Sequence, residues 1–250
     1  MNDHRRQILA RVAAGELTPS EAAAELEELT ASVPEMETAP AAGTPTVARI
    51  RVQAGMGSVT VLGDESVLEA VADGPHVAHR EGDTLVIQTG DDNTTGFVFG
   101  GRFGISLDRR RVTVRMNPRL PLDTDVQAGT LRIQGVRAPI RAEVQAGTTQ
   151  IDGFTEPIDL DVQAGSVRAS GRLTAGRSRI QCQAGKVTVN LEPESSVRIS
   201  AKTGLGRISL PGNAVYAGVG DRTVTTQVGA GVASLDINSE MGSVQVEVGR

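Results

Sequence analysis

Hydrophobic and polar residues alternate one by one along much of the chain after residue 120. From Leu122 to Ala128, apolar or small side chains stand at every second position, and Asp123, Asp125 and Gln127 stand between them. A period of two is typical of a β-strand with one buried face. The recurring pattern predicts two inward-facing columns, which are Val126, Val144, Val162, Cys182 and Ala201, and then Ala128, Ala146, Ala164, Ala184 and Thr203.

A short repeat sets the spacing of these strands. The tetrapeptide Val-Gln-Ala-Gly and its variants begin at Val52, Val126, Val144, Val162, Cys182 and Ala201. From Val126 onward the starts advance by 18, 18, 20 and 19 residues. A near-constant period indicates one supersecondary unit stacked on itself. The 74 residues between the first two starts are close to four such units, which predicts degenerate repeats there.

Beyond each repeat glycine the alternation slips by one residue, as at Leu131 and Ile133 after Gly129. This slip predicts a corner, which glycine permits because it has no Cβ. The sequence therefore predicts a mainly β protein, a parallel β-solenoid with about 18–20 residues per coil and coils about 4.8 Å apart. A right-handed coil is expected from the handedness of parallel crossovers. A two-layer antiparallel sandwich is the alternative.

Two outward columns carry recognisable chemistry. Stacking places acids beside bases in the column Asp123, Arg141, Asp159 and Arg179, and it places amides beside amides in the column Gln127, Gln145, Gln163 and Gln183. Exposed ion pairs contribute about 0.2–1 kcal/mol each, so we expect them to fix the register more than the stability. A third column, Asp125, Glu143 and Asp161, is acidic.

Residues 1–30 are predicted to form a short helical hairpin. Ile8, Leu9 and Val12 share one face of a first helix, and Leu26 and Leu29 share one face of a second. A hairpin of this size buries too little apolar surface to be stable alone. Its apolar faces are therefore expected to contact another copy, the rest of the chain or a second protein. A linker rich in Pro and Ala, residues 31–46, precedes the β-solenoid repeat domain at 47–250.

Composition excludes several classes of protein. The 250 residues include 30 acidic and 25 basic side chains, and the net charge of −5 argues against general nucleic-acid binding. One cysteine and three histidines predict neither a disulfide scaffold nor a zinc site, and no cofactor is expected. The chain shows neither a signal peptide nor a long apolar stretch, so a cytoplasmic location is expected, with a membrane-proximal one as a further option.

Three phenylalanines, Phe97, Phe99 and Phe103, lie together in a Gly-rich segment. Exposed apolar groups of this kind point to a contact loop for a partner, a membrane surface or another copy, or else to a cap over an open end of the solenoid. His76 and His79 are not expected to bind metal, because strand residues three apart point to opposite faces. Asp91-Asp92-Asn93 indicates a polar turn, and Cys182 a small core residue.

The pattern of a small residue, glycine and alternating aliphatic residues is clearest at 129–133, 165–169, 185–189 and 242–246. Together with a hairpin of the form Ile8-Leu9-x-x-Val12, it resembles the bacterial β-strand-repeat family of toastrack, or putative-adhesin, domains. The resemblance implies a non-enzymatic protein linked to cell-envelope stress, of the Lia and phage-shock type, which acts as an assembly hub near the membrane. It implies no catalytic residues.

The sequence thus predicts a non-enzymatic scaffold or regulatory interaction protein that forms a homo-oligomer through its hairpin and contacts a membrane-associated stress protein. The alternatives are a carbohydrate-active β-helix enzyme, for which the Asp125, Glu143 and Asp161 column would supply carboxylates, and a cytoskeletal filament formed by end-to-end stacking. No small-molecule substrate is indicated.

Overall fold

The computed structural model describes residues 46–89, 111–212 and 215–249, which fall within one compact unit, residues 41–250. Within these ranges the chain forms β-strands and no helix. The strands are β1 (Arg49–Gly63), β2 (Ala70–Asp73), β3 (His76–Glu81), β4 (Thr84–Thr89), β5 (Arg111–Met116), β6 (Leu122–Gln134), β7 (Ile140–Phe154), β8 (Ile158–Gly171), β9 (Arg177–Leu191), β10 (Val197–Ser209), β11 (Tyr216–Val228) and β12 (Ala233–Val248).

The strands stack mostly in parallel, as the repeat predicts. Val126, Val144 and Val162 are direct neighbours on β6, β7 and β8, and Cys182 follows on β9. The order along the sheet is β11-β10-β12-β9-β8-β7-β6-β1-β4-β3. The mainly β, parallel repeat architecture is therefore confirmed, and the handedness stays a prediction.

The sequence predicted degenerate repeats between the first tetrapeptide and the second, and this prediction was wrong. β1 lies directly against β6, with Gly57 opposite Gly129 and Ala54 opposite Val126. The tetrapeptide at 52–55 is therefore two residues out of register with the later ones. A shift of two leaves the alternation of buried and exposed positions unchanged, which is why the sequence pattern did not reveal it.

The coil beyond β1 is split between two strands. β4 pairs with the first half of β1, up to Ala54 opposite Thr89, and β5 pairs with the second half, from Ser58 opposite Arg111. β1 passes from its first half to its second in three residues, 55–57. On the neighbouring coil, residues 90–110 stand in the sequence between the matching halves, β4 and β5. β3 and β2 then pair antiparallel to β4 and β5 at this end of the sheet.

The other end departs from sequence order in the same way. β12, the last strand, lies between β9 and β10, and Gly242 joins Gly185 to Gly206 across the sheet. The variant at Ala201 is therefore also two residues out of register. β11 pairs antiparallel to β10 and ends the sheet. The parallel pairing predicted for the whole repeat domain therefore stops short of both ends of the sheet, where the outermost strands pair antiparallel.

Each long strand bends, and its inner face changes parity across the bend. On β7 the buried residues are Ile140, Ala142 and Val144 before the corner, and Thr149 and Ile151 after it. Val136, Phe154, Leu173 and Leu191, which lie at or just beyond the ends of long strands, are also buried. The predicted inward column of alanines was wrong, because Ala146 and Ala164 are exposed and Ala128 and Ala184 are half-buried. The corner begins at the glutamine of each tetrapeptide, so the alanine that follows it lies on the outer side of the bend and not in the core.

A column of glycines makes the bend possible. In stacking order they are Gly57, Gly129, Gly147, Gly165, Gly185, Gly242 and Gly206. All have φ between 138° and 152°. A Cβ built on Gly165 would lie 1.8 Å from the carbonyl oxygen of Gly147. Neighbouring coils therefore approach so closely here that only glycine fits.

One buried polar residue interrupts the apolar columns for a clear reason. Ser178 is fully buried, and its Oγ accepts a hydrogen bond of 3.2 Å from the backbone N–H of Ile158. Ser195 does the same for the N–H of Leu173, at 3.3 Å. The two hydroxyls thus accept hydrogen bonds from backbone N–H groups that lie between the long strands and would otherwise be buried without a partner.

Candidate interaction surface

The outer edge of the corner carries a line of apolar side chains, which we call the corner ridge. The residue before each column glycine contributes one member, and β11 adds Val219 opposite Leu205. In stacking order the ridge is Met56, Ala128, Ala146, Ala164, Ala184, Met241, Leu205 and Val219. Seven coil steps make it about 34 Å long.

The large residues of the ridge are strongly exposed. Met56 is 58% exposed, Met241 53%, Leu205 45% and Val219 88%. Scattered exposed apolar residues are normal, but a continuous line of them marks an interaction surface. Since one coil position supplies each residue, the repeat itself builds this line.

Polar side chains border the ridge on both sides. The glutamine column, Gln127, Gln145, Gln163 and Gln183, is exposed as predicted and lies on the side before the corner. The column after the glycines is rich in hydroxyls, and Ser166 Oγ donates to Thr148 Oγ1 at 3.3 Å. An apolar centre with a polar rim is the usual composition of a protein interface.

The face before the corner carries a ladder of alternating charge. In stacking order it runs Arg51, Asp123, Arg141, Asp159, Arg179 and Asp236, which is two members longer than the sequence predicted because β1 and β12 add one each. The closest ion pairs do not all follow the ladder. Arg49 contacts Asp123 at 2.9 Å, and Arg141 contacts Glu143 of its own strand at 3.0 Å. The charges on this face therefore largely neutralise one another.

Asp125, Glu143 and Asp161 lie in register beside this ladder, as expected. Glu143 and Asp161 line a shallow depression of about 120 Å³ together with Arg141 and Arg179. All three carboxylates are exposed. Nothing in this open arrangement shields a substrate from water. Among the described residues, no group of three or more His, Cys, Asp and Glu side chains is placed to hold a metal ion.

The face after the corner carries basic but no acidic side chains at the positions that define it. We call it the post-corner face and define it by the positions one and three residues after the column glycines. Its charged members, one each on β5, β6, β8, β9 and β10, are Arg111, Arg132, Arg168, Lys186 and Arg207. Between them lie hydroxyl and amide side chains such as Thr130, Thr148, Ser166, Gln150 and Gln245.

The residues proposed from the sequence for partner binding lie outside the described ranges. They are Ile8, Leu9, Val12, Leu26, Leu29, Phe97, Phe99 and Phe103, and Asp91-Asp92-Asn93 lies there too. Thr89 and Arg111, which flank the Phe-rich segment, both lie on the coil next to Met56. Thr89 and Arg111 themselves thus lie beside one end of the corner ridge.

The other predicted residues are described. His76 and His79 lie on the exposed strand β3, where His79 contacts Glu81 at 3.0 Å. Cys182 is buried in the inward column, as predicted, and burial together with the nearby Asp161 carboxylate raises the pKa of its thiol. A raised pKa keeps the sulfur protonated and unreactive.

A small polar network holds the start of the described chain. Thr46 donates its backbone N–H to Glu69 at 2.9 Å and its hydroxyl to the same carboxylate oxygen, and Arg80 contacts Glu69 at 2.8 Å. The hydrogen bond from the Thr46 hydroxyl is the main reason that the pKa of Glu69 is lowered. This network fixes the point where the linker joins the sheet.

The sequence contained a signal for the ridge that pattern reading missed. Met56, Met241 and Leu205 each precede a glycine that is followed two residues later by a buried aliphatic residue, Val59, Val244 and Ile208. If the coils are aligned on the glycine and the aliphatic residue two positions after it, rather than on the tetrapeptide, Met56, Met241 and Leu205 fall in the same column as the alanines.

Comparison with known proteins adds little. No family model matches the chain, and no curated protein is found similar to it. A solved structure that resembles it is that of a putative cell adhesion protein from Clostridium sporogenes, with 16% identity and a TM-score of 0.43 over 83% of this chain and 96% of that one. Likeness at this level carries no argument about function. Membership of the toastrack family and the link to envelope stress stay predictions.

Of the residues described, none belongs to a helix long and apolar enough to span a membrane.

Proposed function

We propose that this protein is a non-enzymatic interaction scaffold that associates with further copies of itself. The observation that carries the proposal is the corner ridge, a line of exposed apolar side chains that crosses eight strands between two polar borders. The open faces on either side offer broad polar surfaces rather than an enclosed site, which suits binding better than catalysis.

A second copy of the chain is the partner that the ridge fits best. If two ridges meet antiparallel about a two-fold axis between Ala164 and Ala184, Leu205 of each copy faces Ala128 of the other. In the same arrangement Met241 faces Ala146. Large side chains oppose small ones at these positions, and at the two ends Met56 of one copy faces Val219 of the other in an apolar contact. Each residue is matched by the other copy in the same way, as a two-fold interface requires. The bordering glutamine columns are uncharged, so they do not oppose the contact.

The ridge alone would make a weak dimer. A strip about 34 Å long and about 10 Å wide covers roughly 340 Å² per copy, less than half of the ~800 Å² per partner of a stable interface. The apolar faces predicted for the hairpin, with Ile8, Leu9, Val12, Leu26 and Leu29, would supply a second contact. Two weak contacts joined by a linker bind more tightly than either does alone.

The resemblance to toastrack domains motivates the finer part of the proposal. We propose that the assembly acts in a bacterial envelope-stress response, near the membrane, with a membrane-associated stress protein as partner. Contact with that protein is then a role for the Phe-rich segment.

Light scattering of the full-length chain over a concentration series tests self-association. We expect the paired change Met241→Ser with Leu205→Ser to lower the mean mass, and Leu26→Ser with Leu29→Ser to lower it further. Val232→Ser is the matched control, since Val232 is 70% exposed but lies outside the ridge. A mass that is monomeric at every concentration in the unaltered chain would refute the proposal, and a mass unchanged by the ridge variant would refute the ridge contact.

A further inference from the structure

Within the part of the chain that the structure describes, the cations of the post-corner face have no carboxylate partner. None of Arg111, Arg132, Arg168, Lys186 and Arg207 forms an ion pair with another described residue. Arg132 instead donates to the amide oxygen of Gln150 at 3.3 Å. Before the corner, by contrast, Arg49, Arg51 and Arg141 all contact carboxylates. The same repeat thus builds one neutralised face and one with free positive charge.

The defined positions of this face include no carboxylate, and the closest carboxylates are hydrogen-bonded to its amide side chains. Asp152 and Glu247 lie in the next column outward, where Asp152 accepts from Gln150 Nε2 and Glu247 from Gln245 Nε2, both at 2.7 Å. Asp73 lies at the β2 edge, opposite Thr113. The five cations therefore form an uninterrupted basic strip along the stack.

The fold fixes the spacing of these charges. Arg111 to Arg132, Arg132 to Arg168, and Lys186 to Arg207 are each separated by two coil steps, which is about 10 Å. Only Arg168 and Lys186 lie on adjacent coils. Because the backbone ladder holds the strands, a linear ligand would meet a cation after every one or two coils over about 34 Å, with little ordering cost to the protein.

We propose that the post-corner face binds a linear acidic polysaccharide, laid along the stacking direction with its carboxylate groups on the arginines. Arginine matches a carboxylate with two parallel hydrogen bonds. The hydroxyl side chains between the cations, such as Thr130, Thr148 and Ser166, can both donate to and accept from sugar hydroxyls. The inference rests on the proposed non-enzymatic role, since the polymer is bound and not cleaved.

A nucleic acid fits the same face less well. Proteins that bind single strands stack the bases on aromatic side chains, and the defined positions of the post-corner face include none. The net charge of −5 also opposes a polyanion as densely charged as DNA. A uronic acid polymer needs no aromatic stacking platform, and its sugar hydroxyls find partners in the Ser and Thr side chains of this face.

Binding of full-length protein to polygalacturonate oligomers, measured by calorimetry or fluorescence anisotropy, tests the inference. Neutral dextran oligomers and single-stranded poly-dT of similar length serve as comparison ligands. The paired variant Arg132→Gln with Arg168→Gln is expected to weaken polygalacturonate binding about tenfold. Its matched control is Arg141→Gln with Arg179→Gln, which removes two exposed arginines from the other face and should leave binding unchanged. Equal thermal melts of the two variants exclude unfolding as the cause.

The outcomes separate this inference from the proposed function. Absence of binding to polygalacturonate, equal loss in both variants, or tighter binding to poly-dT would overturn the polysaccharide site and leave self-association untouched. Shortening of the polymer during incubation would overturn the non-enzymatic role. Binding that is lost only in the Arg132 and Arg168 variant, with the polymer intact, supports both.

Discussion

Replacing one glycine of the corner column should destabilise the fold far more than replacing a glycine two residues from that column. In Gly165→Ala the new Cβ would lie 1.8 Å from the carbonyl oxygen of Gly147, and the backbone has φ of +145°. A side chain in such a conformation costs about 1–3 kcal/mol by itself. The clash can be relieved only if β7 and β8 separate.

Separation would break ladder hydrogen bonds around the pair of Gly165 and Gly147. Losing two or three bonds at about 1 kcal/mol each adds about 2–3 kcal/mol. The total of about 3–6 kcal/mol is a large share of the 5–15 kcal/mol that stabilises a typical domain. With a urea m-value of about 3 kcal/mol/M, the unfolding midpoint should fall by about 1–2 M.

Gly55→Ala provides the matched control in the same equilibrium urea unfolding measurement. Gly55 lies two residues before column glycine Gly57, its φ is not positive, and a Cβ there would meet no atom within 4 Å. This change should leave stability within about 1 kcal/mol or raise it slightly, since alanine reduces the freedom of the unfolded chain. Equal midpoints for the two variants would show that the coils do not approach as closely as described.

Three further predictions concern buried and charged groups. Thr149 is fully buried between Leu131 and Val167, and its hydroxyl has no hydrogen-bond partner among the described residues. Thr149→Val should therefore raise the free energy of unfolding by about 1 kcal/mol, whereas Thr148→Val, at an exposed site, should not. A loss of stability in Thr149→Val would show that the hydroxyl has a partner after all. The pKa of Glu69 is lowered in the folded protein, so its carboxylate stabilises the fold above the unfolded pKa, and this stability is lost as the pH falls through the folded pKa. Glu69→Gln should therefore lower the free energy of unfolding by up to about 1 kcal/mol near pH 7 and leave it unchanged in strong acid. A loss of stability that persists in acid would contradict this. Burial and the Asp161 carboxylate raise the pKa of Cys182, so a thiol reagent at pH 8 should modify it only on the timescale of unfolding, and fast modification of the native protein would place the sulfur at the surface.

The sequence predicted what depends on periodicity. Alternation identified the buried side of each strand, and the period of the repeat made Val126, Val144 and Val162 neighbours. The alternation was extended one step too far at the corner, where Ala146 is exposed. Alanine is small enough to occur on either side, so its identity could not correct the error.

The order of the strands could not be predicted in the same way. A strand moved by two residues, or placed between two others, keeps its alternation and its fit to neighbours. β1 and β12 occupy such positions. The charge ladder, the corner ridge and the basic strip become continuous only after both strands are in place, and for this reason the sequence showed only parts of each.

The placement of the terminal strands also changes how the domain holds together. In a simple solenoid the last coil contacts one neighbour and can be lost without harm to the rest. Here β12 bridges β9 and β10, and β1 bridges β6 to the split coil of β4 and β5. The strands nearest both ends of the chain are therefore enclosed by strands from its middle, so each end of the stack can form only after the corresponding chain end has folded in. This ties the outermost members of the ridge, Met56 at one end and Leu205 and Val219 at the other, to the completeness of the whole domain, and it makes the interaction surface a property of the folded chain rather than of any single repeat.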